Sequence, residues 1–299
     1  MILITGASGF IGRYLAKELS VQGYKLFLCS STQNLGNAFP NNKTVRVNLA
    51  KGEDFRKLPA RGVEAVYHLA SFVPPHVSQD NVHYARKCLN VNILATMNVL
   101  EYCRLHRISR LVYASTVSVY GDCDSAPREE ERAYPLTFYG WSKLAAEILC
   151  EKYRRDYGIA CFSLRLSSVY GQGVNPYCVL SAFIKRALQG EEIVVWGEGR
   201  KRINFIYIKD AVSALLSSLK SEHPGVYNIG SAQAVSVAEL AKAVNKVFAR
   251  GCLSIVFDKE KQEDLTRVWL DITKAKKGLG FRPKYSLLAG LKDYKQQVK

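Results

Sequence analysis

Two groups of residues in this chain have the types and the spacing to do chemistry. Tyr139 and Lys143 are four residues apart, so a helix would place both side chains on one face. A nearby ammonium favours the phenolate, which predicts a lowered pKa for Tyr139 and a role as general acid and base at an alcohol or a carbonyl. A loop with glycines at positions 6, 9 and 12 directly follows the apolar run 1–5. Because such a loop brings backbone N–H groups to a pyrophosphate at a helix N-terminus, the two groups together predict hydride transfer with a bound dinucleotide.

A hydroxyl group stands at the end of the later apolar run 111–116, where it could bond the same substrate oxygen as Tyr139. Each of these features also has a plainer interpretation. A Tyr and a Lys at this spacing occur on many protein surfaces, a glycine triplet often serves as a turn, and a Ser or Thr at a strand end often caps a turn. Their combination in one chain, in this order, favours the chemical interpretation.

Apolar runs of strand length alternate with segments of helical periodicity through the first half of the chain. The helix predicted over residues 10–22 is ended by Gly23. Such alternation predicts a doubly wound α/β fold, a Rossmann-like parallel sheet with helices on both faces. The predicted strands are 1–5, 24–29, 44–48, 63–70, 110–116 and 160–167.

Beyond the sixth predicted strand the periodic pattern loosens, which indicates a second, smaller lobe. A helix is expected over 178–189, and Ser236 begins a further helix in the Ser-Val-Ala-Glu pattern of a capping box. A strand and a helix near 204–221 are expected to return to the main sheet. The predicted domains are therefore 1–167 plus that segment for the dinucleotide, and mainly 168–299 for a substrate lobe over the carboxyl edge of the sheet.

The composition is that of a globular protein, with 48% hydrophobic and 23% charged residues. Net charge is +16, from 42 basic and 26 acidic residues, which favours a phosphorylated substrate over nucleic acid because no nucleic-acid-binding motif accompanies the charge. The eight cysteines are scattered without a Cys-x-x-Cys pair, so we expect reduced thiols in a cytoplasmic protein and no bound metal. The apolar runs are too short for a membrane span, and the strand-like run at Met1 leaves no room for a signal peptide.

The order of short motifs along the chain resembles that of the extended short-chain dehydrogenases/reductases. Within that family the resemblance is to the NAD(P)-dependent nucleotide-sugar epimerases, dehydratases and reductases, and it covers nearly the whole length. The residues that carry it are Thr5-Gly6-x-x-Gly9-Phe10-Ile11-Gly12, His68-Leu69-Ala70, Asn92-Ile93-Leu94-Ala95-Thr96, Ser115-Thr116-x-x-x-Tyr120-Gly121, Tyr139-Gly140-x-Ser142-Lys143, Leu164-Arg165-x-x-x-Val169-Tyr170-Gly171, Tyr227-Asn228-Ile229-Gly230 and Asp271-Ile272-Thr273-Lys274-Ala275.

The resemblance implies a catalytic set and a cofactor site. Thr116, Tyr139 and Lys143 match the family's catalytic residues, and Lys143 would also hold the nicotinamide ribose. The cofactor-binding positions that it implies are Gly6, Ser8, Gly9, Phe10, Ile11, Gly12, Arg13, Ser30, Ser31, Asn48, Leu49, Leu69, Ala70, Ser71, Asn92, Tyr139 and Lys143.

The resemblance also implies a site for a nucleotide-diphosphate sugar. Ser168, Arg202, Lys261 and Asp264 fall at or near positions that hold the nucleotide-phosphate end of such a substrate. The match at Arg202 is loose, because the family's usual arginine in this segment would align at or next to Ile203.

Two departures from the family pattern narrow the prediction. The second strand ends in Ser30 and Ser31 where the family usually has an acidic residue for the adenosine ribose. Hydroxyls there, with Arg13, would accept a 2′-phosphate, so we expect NADP(H) over NAD(H); a merely relaxed site is the alternative. Ser118, two residues after Thr116, stands where the related dehydratases and decarboxylases have a Glu. Without that carboxylate dehydration has no base, and hydride transfer at one sugar carbon, carbon 4, remains.

The sequence leaves two outcomes of that step open. A 4-ketoreductase would consume NADPH, whereas a nucleotide-sugar 4-epimerase, like UDP-glucose 4-epimerase, would keep NAD bound and return the hydride to the other face. The missing acidic residue favours the reductase. Further alternatives are a reductase for a non-sugar carbonyl and a non-catalytic nucleotide sensor. The resemblance also implies a homodimer formed through helices within 80–107 and 138–157.

Overall fold

The first two strands are buried along their whole length because helices cover both faces of the sheet to which they belong. The structure, a computed structural model, describes residues 1–32, 35, 38–75, 81–123, 125–231, 233–263, 265–267 and 269–298. The strands are β1 (Ile2–Thr5), β2 (Leu26–Ser30), β3 (Lys43–Arg46), β4 (Ala65–His68), β5 (Arg110–Thr116), β6 (Ala160–Leu166), β7 (Ser168–Tyr170), β8 (Ile193–Trp196), β9 (Arg202–Tyr207), β10 (Gly225–Ile229), β11 (Ala234–Ser236) and β12 (Ile255–Asp258).

Helices are the other regular elements in the part of the chain that the structure describes. A π-helical turn (Leu89–Leu94) joins the second helix to the third, and short 3₁₀ turns follow β3 and β5. The α-helices are α1 (Phe10–Val21), α2 (Val82–Cys88), α3 (Ala95–Leu105), α4 (Phe138–Tyr157), α5 (Val179–Gln189), α6 (Ile208–Lys220), α7 (Val237–Phe248), α8 (Thr273–Gly278) and α9 (Leu287–Gln297).

Seven parallel strands form the main sheet in the order β10-β6-β5-β4-β1-β2-β3. Helices α1 and α6 pack on one face of the sheet, and α3 and α4 pack on the other. Each face has its own apolar cluster. The predicted doubly wound α/β fold is therefore confirmed, and the six predicted strands lie within two residues of the observed bounds.

One part of the predicted topology is wrong. The strand expected near 204 to return to the main sheet is β9, which instead pairs with β7 and β11 in a separate three-stranded sheet. The main sheet is completed by β10, which pairs with β6. Helix α6 does return, since it packs against β5 and β6 and its Leu215 carbonyl accepts a hydrogen bond from Tyr67 at 3.0 Å.

The carboxyl ends of the parallel strands meet the N-terminal end of α4. That helix begins after Thr137, whose side chain accepts a hydrogen bond from the Gly140 N–H at 3.1 Å. The capping box predicted at Ser236 is also present, with Glu239 as its partner. Within the part of the chain that the structure describes, no helix is both long enough and apolar enough to span a bilayer.

Candidate active site

A cavity of about 300 Å³ lies at the carboxyl ends of β1 and β2, over the glycine-rich loop. Ten of the predicted cofactor-binding residues line it, which indicates that the sequence pattern located one continuous surface. They are Gly6, Ser8, Gly9, Ser30, Ser31, Asn48, Leu49, Leu69, Ala70 and Ser71.

The three glycines of the loop are required for different reasons. Gly6 has φ +67°, and a Cβ there would stand 2.6 Å from the Ala70 nitrogen. A Cβ at Gly12 would collide with the Gly6 carbonyl oxygen. A Cβ at Gly9 would meet one described atom outside its chain neighbours, the Gly6 carbonyl oxygen at 3.1 Å, so the backbone there is open to the cavity. Polypeptide packing therefore explains Gly6 and Gly12, and the open backbone at Gly9 fits the close approach of a pyrophosphate.

Ser30, the last residue of β2, and Ser31, which follows it, line the part of the cavity at the end of that strand. The buried Ser30 hydroxyl donates to Ser8 Oγ at 2.8 Å, and Arg13 Nε donates to the Ser8 carbonyl at 2.9 Å. A second cation, Arg46, is the neighbour of Ser30 in the β2–β3 register and donates to the Ser31 carbonyl at 3.0 Å. Hydroxyls and guanidinium groups thus surround the position expected for the adenosine ribose, and the sequence prediction had not included Arg46.

Two further positions predicted for the cofactor do not line the cavity. Phe10 and Ile11 are the first residues of α1 and pack against the main apolar core. Asn48 is part of the cavity wall. Its N–H donates to Asp54 Oδ2 at 2.7 Å, and its side-chain oxygen accepts from the Ala50 N–H at 3.1 Å. These contacts shape the rim from backbone as well as side-chain groups.

Thr116 and Tyr139 lie outside the cavity, near Ser71, which forms part of its wall. Thr116 ends β5 and Tyr139 is in the first turn of α4. Burial raises the pKa of the Tyr139 phenol to about 12, and hydrogen bonds with the hydroxyls of Thr116 and Ser71 offset this only in part. The phenol therefore holds its proton at neutral pH in this structure. The lowered pKa expected from the Tyr-x-x-x-Lys spacing is wrong for this state of the protein.

Lys143 does not lower the pKa of Tyr139, because burial also disfavours the charged form of the lysine. Its side chain is 1% exposed, and burial lowers its pKa to about 7, although Glu147 acts in the opposite direction. Its ammonium nitrogen lies 4.2 Å from the ring centroid of Tyr113, within cation–π distance. Beyond that ring lies His68, whose pKa burial lowers to about 3, so it is neutral.

Neutral His68 links the two sides of the site through hydroxyl groups. Its Nδ1 is hydrogen-bonded to the Thr5 hydroxyl at 2.7 Å, and its Nε2 to the Thr96 hydroxyl at 3.0 Å. Since Thr96 donates its proton to the Asn92 carbonyl at 2.6 Å, it accepts from the imidazole Nε2–H. The chain of bonds ties β1 and β4, under the glycine loop, to the π-helical turn that carries Asn92.

The predicted substrate residues lie in the C-terminal part of the chain. Ser168 is exposed in β7, and Arg202 is exposed at the start of β9, where it donates to the Ala234 carbonyl at 2.7 Å. Lys261 is exposed, and its segment contacts the loop just before β9. There Glu263 accepts a hydrogen bond from the Lys201 N–H at 2.8 Å. Asp264 lies outside the described residues.

Several residues near the site had no signal in the sequence strong enough to be selected. Tyr113, Glu147 and Arg165 are buried in elements assigned to the core, and their importance comes from contacts between β5, β6 and α4. Arg46 ends an exposed strand. For Glu147, the available clue was its place four residues after Lys143, on the helix face that bears Tyr139 and Lys143.

Comparison with known proteins identifies the family. The model of the NAD dependent epimerase/dehydratase family matches residues 2–230, and the chain belongs to that family. It is an enzyme of the extended short-chain dehydrogenase/reductase type, as the sequence motifs predicted.

Three similar proteins match this chain over nearly their whole length, and two of them have a similar fold. A provisionally named UDP-glucose 4-epimerase of Methanocaldococcus jannaschii is 32% identical over 98% of this chain and 96% of its own length. The crystal structure of UDP-glucose 4-epimerase from Thermotoga maritima, with UDP-glucose, has a TM-score of 0.89 at 29% identity, over 99% of both chains. That of UDP-glucuronic acid 4-epimerase from Bacillus cereus, with UDP-glucuronic acid and NAD, has a TM-score of 0.85 at 27% identity, over 100% of this chain and 99% of that one.

Proposed function

We propose that this enzyme is a UDP-sugar 4-epimerase that works with a bound NAD. The observation that supports it most is the nearness of the Thr116 and Tyr139 hydroxyls to Ser71 in the wall of the glycine-loop cavity, in a chain whose relatives include several 4-epimerases. The relatives support the epimerase over the 4-ketoreductase that we favoured from the sequence, and NAD over NADP.

The residues at the reaction centre fit this chemistry. The groups hydrogen-bonded to the Tyr139 phenol belong to Thr116 and Ser71, which are hydroxyls, and Ser118 stands beside Thr116. Hydroxyls can orient an alcohol or a ketone, whereas dehydration needs a carboxylate to remove a carbon-bound proton.

Each protein group has a task in the proposed reaction. The chemistry that NAD supplies when bound is reversible hydride exchange with a carbon that carries a hydroxyl group. The Tyr139 phenol first gives its own proton to solvent. The phenolate then takes the proton of the sugar 4-hydroxyl as that carbon is oxidised and returns it when the ketone is reduced from the other face. Thr116 hydrogen-bonds the same oxygen and holds it against the phenol. Lys143 would bind the ribose hydroxyls of the dinucleotide, with its ammonium group held over the Tyr113 ring.

We further infer that the residues from 168 onward, apart from α6 and β10, bind the nucleotide diphosphate. Arg202 and Lys261 are exposed cations on neighbouring segments that Glu263 holds together. Trp196, 61% exposed at the end of β8, offers an aromatic face to a base just before that loop. Cationic and aromatic surfaces of this kind suit a uridine diphosphate.

The proposed activity is tested with UDP-glucose, UDP-glucuronic acid and UDP-N-acetylglucosamine, each labelled with deuterium at carbon 4 and supplied without added cofactor. We expect one of them to interconvert with its 4-epimer, the deuterium to stay at carbon 4, and NAD to be released on acid denaturation of the protein. If instead the protein oxidises added NADPH in proportion to a supplied 4-keto nucleotide sugar and epimerises none of the three, it is a 4-ketoreductase.

The last residue of β2, Ser30, should control cofactor choice. Ser30→Asp places a carboxylate beside the ribose position, where it accepts the hydroxyls of NAD and repels the 2′-phosphate of NADP. We expect the ratio of dissociation constants, NADP to NAD, to rise at least about tenfold, an effect of about 1.4 kcal/mol. Calorimetric titration of both dinucleotides measures it. Ser30→Asn has nearly the same size without the charge, so a similar rise in that variant would show that repulsion is not the cause.

We also propose that the chain forms a homodimer through α3 and α4. Seven large apolar side chains are exposed on these helices and the adjoining π-helical turn, among them Leu89 at 55%, Met97 at 41%, Trp141 at 52% and Ile148 at 62%. Paired across a two-fold axis, the helices would bury this face. Ile148→Glu should therefore produce monomers in light scattering after gel filtration. Val21→Glu, at a 76% exposed position on α1, should leave the mass of the assembly unchanged; equal masses for both variants would place the interface elsewhere.

A further inference from the structure

The ammonium group of Lys143 lies over the face of an aromatic ring deep in the protein. Its nitrogen is 4.2 Å from the centroid of the Tyr113 ring, and the two residues are 1% and 0% exposed. Tyr113 belongs to β5, three residues before Thr116, and Lys143 is one turn after Tyr139 in α4. The contact therefore joins the strand and the helix that carry the two hydroxyls of the reaction centre.

In the part of the chain that the structure describes, no ion pair or side-chain hydrogen bond involves this ammonium group. The carboxylate expected to pair with it is that of Glu147, which is one turn further along α4. That carboxylate instead accepts from Arg165 Nη2 at 2.8 Å and from the Ser115 hydroxyl, and it acts on Lys143 from a distance. Among the described residues, the Tyr113 ring is thus the direct contact that favours the charged form of Lys143.

The other titratable groups around this ammonium are uncharged at neutral pH. The pKa of the Cys88 thiol on α2 is raised by burial, and that of Cys150 on α4 is raised by its neighbour Cys161 and by burial. Burial lowers the pKa of His68 on β4 to about 3 and raises the pKa of the Tyr139 phenol to about 12. None of these groups therefore carries a charge that balances or opposes the ammonium.

The Tyr113 ring is held in place from its other side. It lies against the imidazole of His68, its partner in the β4–β5 register, with 5.7 Å between centroids and a tilt of 30°. His68 is itself fixed by the hydroxyls of Thr5 and Thr96. The hydroxyl of Tyr113 has no hydrogen-bond partner among the described residues, and a buried hydroxyl in that state costs stability. What this side chain contributes here is therefore its ring.

We propose that Tyr113 is a positioning residue for Lys143: its ring face stabilises the buried ammonium group and leaves N–H donors free for the hydroxyls of a ligand. A carboxylate in the same place would accept hydrogen bonds from the ammonium and so compete with a ligand, whereas a ring face stabilises the charge by its quadrupole. The inference rests on the proposed function only for the identity of that ligand, the nicotinamide ribose, and for the effect on turnover.

The test varies the electron density of the ring while nearly keeping its shape. Tyr113→Phe removes the unpartnered hydroxyl, and mono-, di- and trifluorinated phenylalanine at position 113 then weaken the ring quadrupole in steps. Lysine carrying a carbon isotope at Cε is followed by NMR against pH, and the Lys143 signal is the one lost in Lys143→Met. We expect Tyr113→Phe to keep the native midpoint. The trifluorinated form should titrate about half a pH unit or more lower, with the other two between, because the charged form loses support.

Phe183 provides the matched control, since its ring is 4% exposed in α5 and packs within an apolar cluster. Trifluorination there should leave the Lys143 midpoint unchanged. A second readout is the dissociation constant of NAD. Trifluorination at position 113 should weaken NAD binding about two- to fivefold at neutral pH, and the affinity should recover at lower pH, where the lysine is charged again. A loss of packing alone would not be reversed by pH.

Equal midpoints across the fluorinated series at position 113 would overturn the inference whatever the enzyme turns over. A shift of the same size from Phe183 would overturn it too, because fluorination would then act without contact with the ammonium. A stepwise fall at position 113 alone, in a protein that binds no NAD and epimerises no nucleotide sugar, would support the role of Tyr113 and remove the proposed function instead.

Discussion

Tyr139→Phe should reduce turnover by at least about 100-fold while leaving the fold and NAD affinity nearly unchanged. The variant removes one oxygen, which is the group that carries the substrate proton, and a positioned acid/base is worth that factor or more. Burial raises the pKa of the phenol to about 12, which favours the protonated form, the form that returns a proton in the reduction step. Initial rates of epimerisation and the dissociation constant of NAD, measured on the same preparation, check both parts.

Tyr157→Phe is the matched control for that prediction. Tyr157 ends the same helix, roughly 27 Å along its axis from Tyr139, and its ring packs against Tyr153 and beneath Arg104. The same chemical change there should leave turnover near the native value. Near-native turnover in a correctly folded Tyr139→Phe protein would remove the phenol from the mechanism.

Breaking the buried Glu147–Arg165 pair should cause the largest loss of stability. The two side chains are 3% and 6% exposed and joined by a 2.8 Å contact between Oε2 and Nη2. The Ser115 hydroxyl also donates to Glu147, and Arg165 Nη1 donates to the Tyr120 hydroxyl at 2.7 Å. Glu147→Ala leaves a buried guanidinium without its counter-charge, so we expect a loss of about 3–5 kcal/mol in the free energy of unfolding.

A double variant separates the pairing from the burial. Glu147→Leu together with Arg165→Met removes both charges and fills their space with apolar atoms, so it should be more stable than either single variant. Denaturant unfolding of the four proteins measures the coupling. Lys152→Ala, which breaks the exposed Lys152–Asp156 pair on the same helix, should change stability far less. Additive losses in the double variant would show that the two charges do not stabilise each other.

The strand-loop-helix unit at the start of the chain was predictable because its determinants are local. A short apolar run, a glycine-rich turn and a 3.6-residue periodicity lie within residues 1–22, and the structure has β1 and α1 there. The same holds for α4 and for the capping box at Ser236. In each case the signal and the element that it specifies occupy the same short stretch.

Strand pairing was predicted less well because partners are distant in sequence. An apolar run shows that β9 is a strand, but residues 168–170 and 234–236 decide that it joins a small separate sheet. The same run is compatible with an edge of the main sheet, which β10 takes instead. Strand pairing depends on packing between elements, and the hydrophobic period of one strand does not specify its partner.

By itself, the sequence determined which chemical groups this protein has and the order in which it presents them: a glycine loop, a hydroxyl at the end of β5, and Tyr139 and Lys143 on one helix. Only the tertiary structure decided what those groups experience. Four-residue spacing predicted an ammonium that would lower the pKa of Tyr139, but burial raises that pKa to about 12 and lowers that of Lys143 to about 7. Spacing along a helix is local geometry, whereas the cost of removing a charge from water depends on every element packed around it.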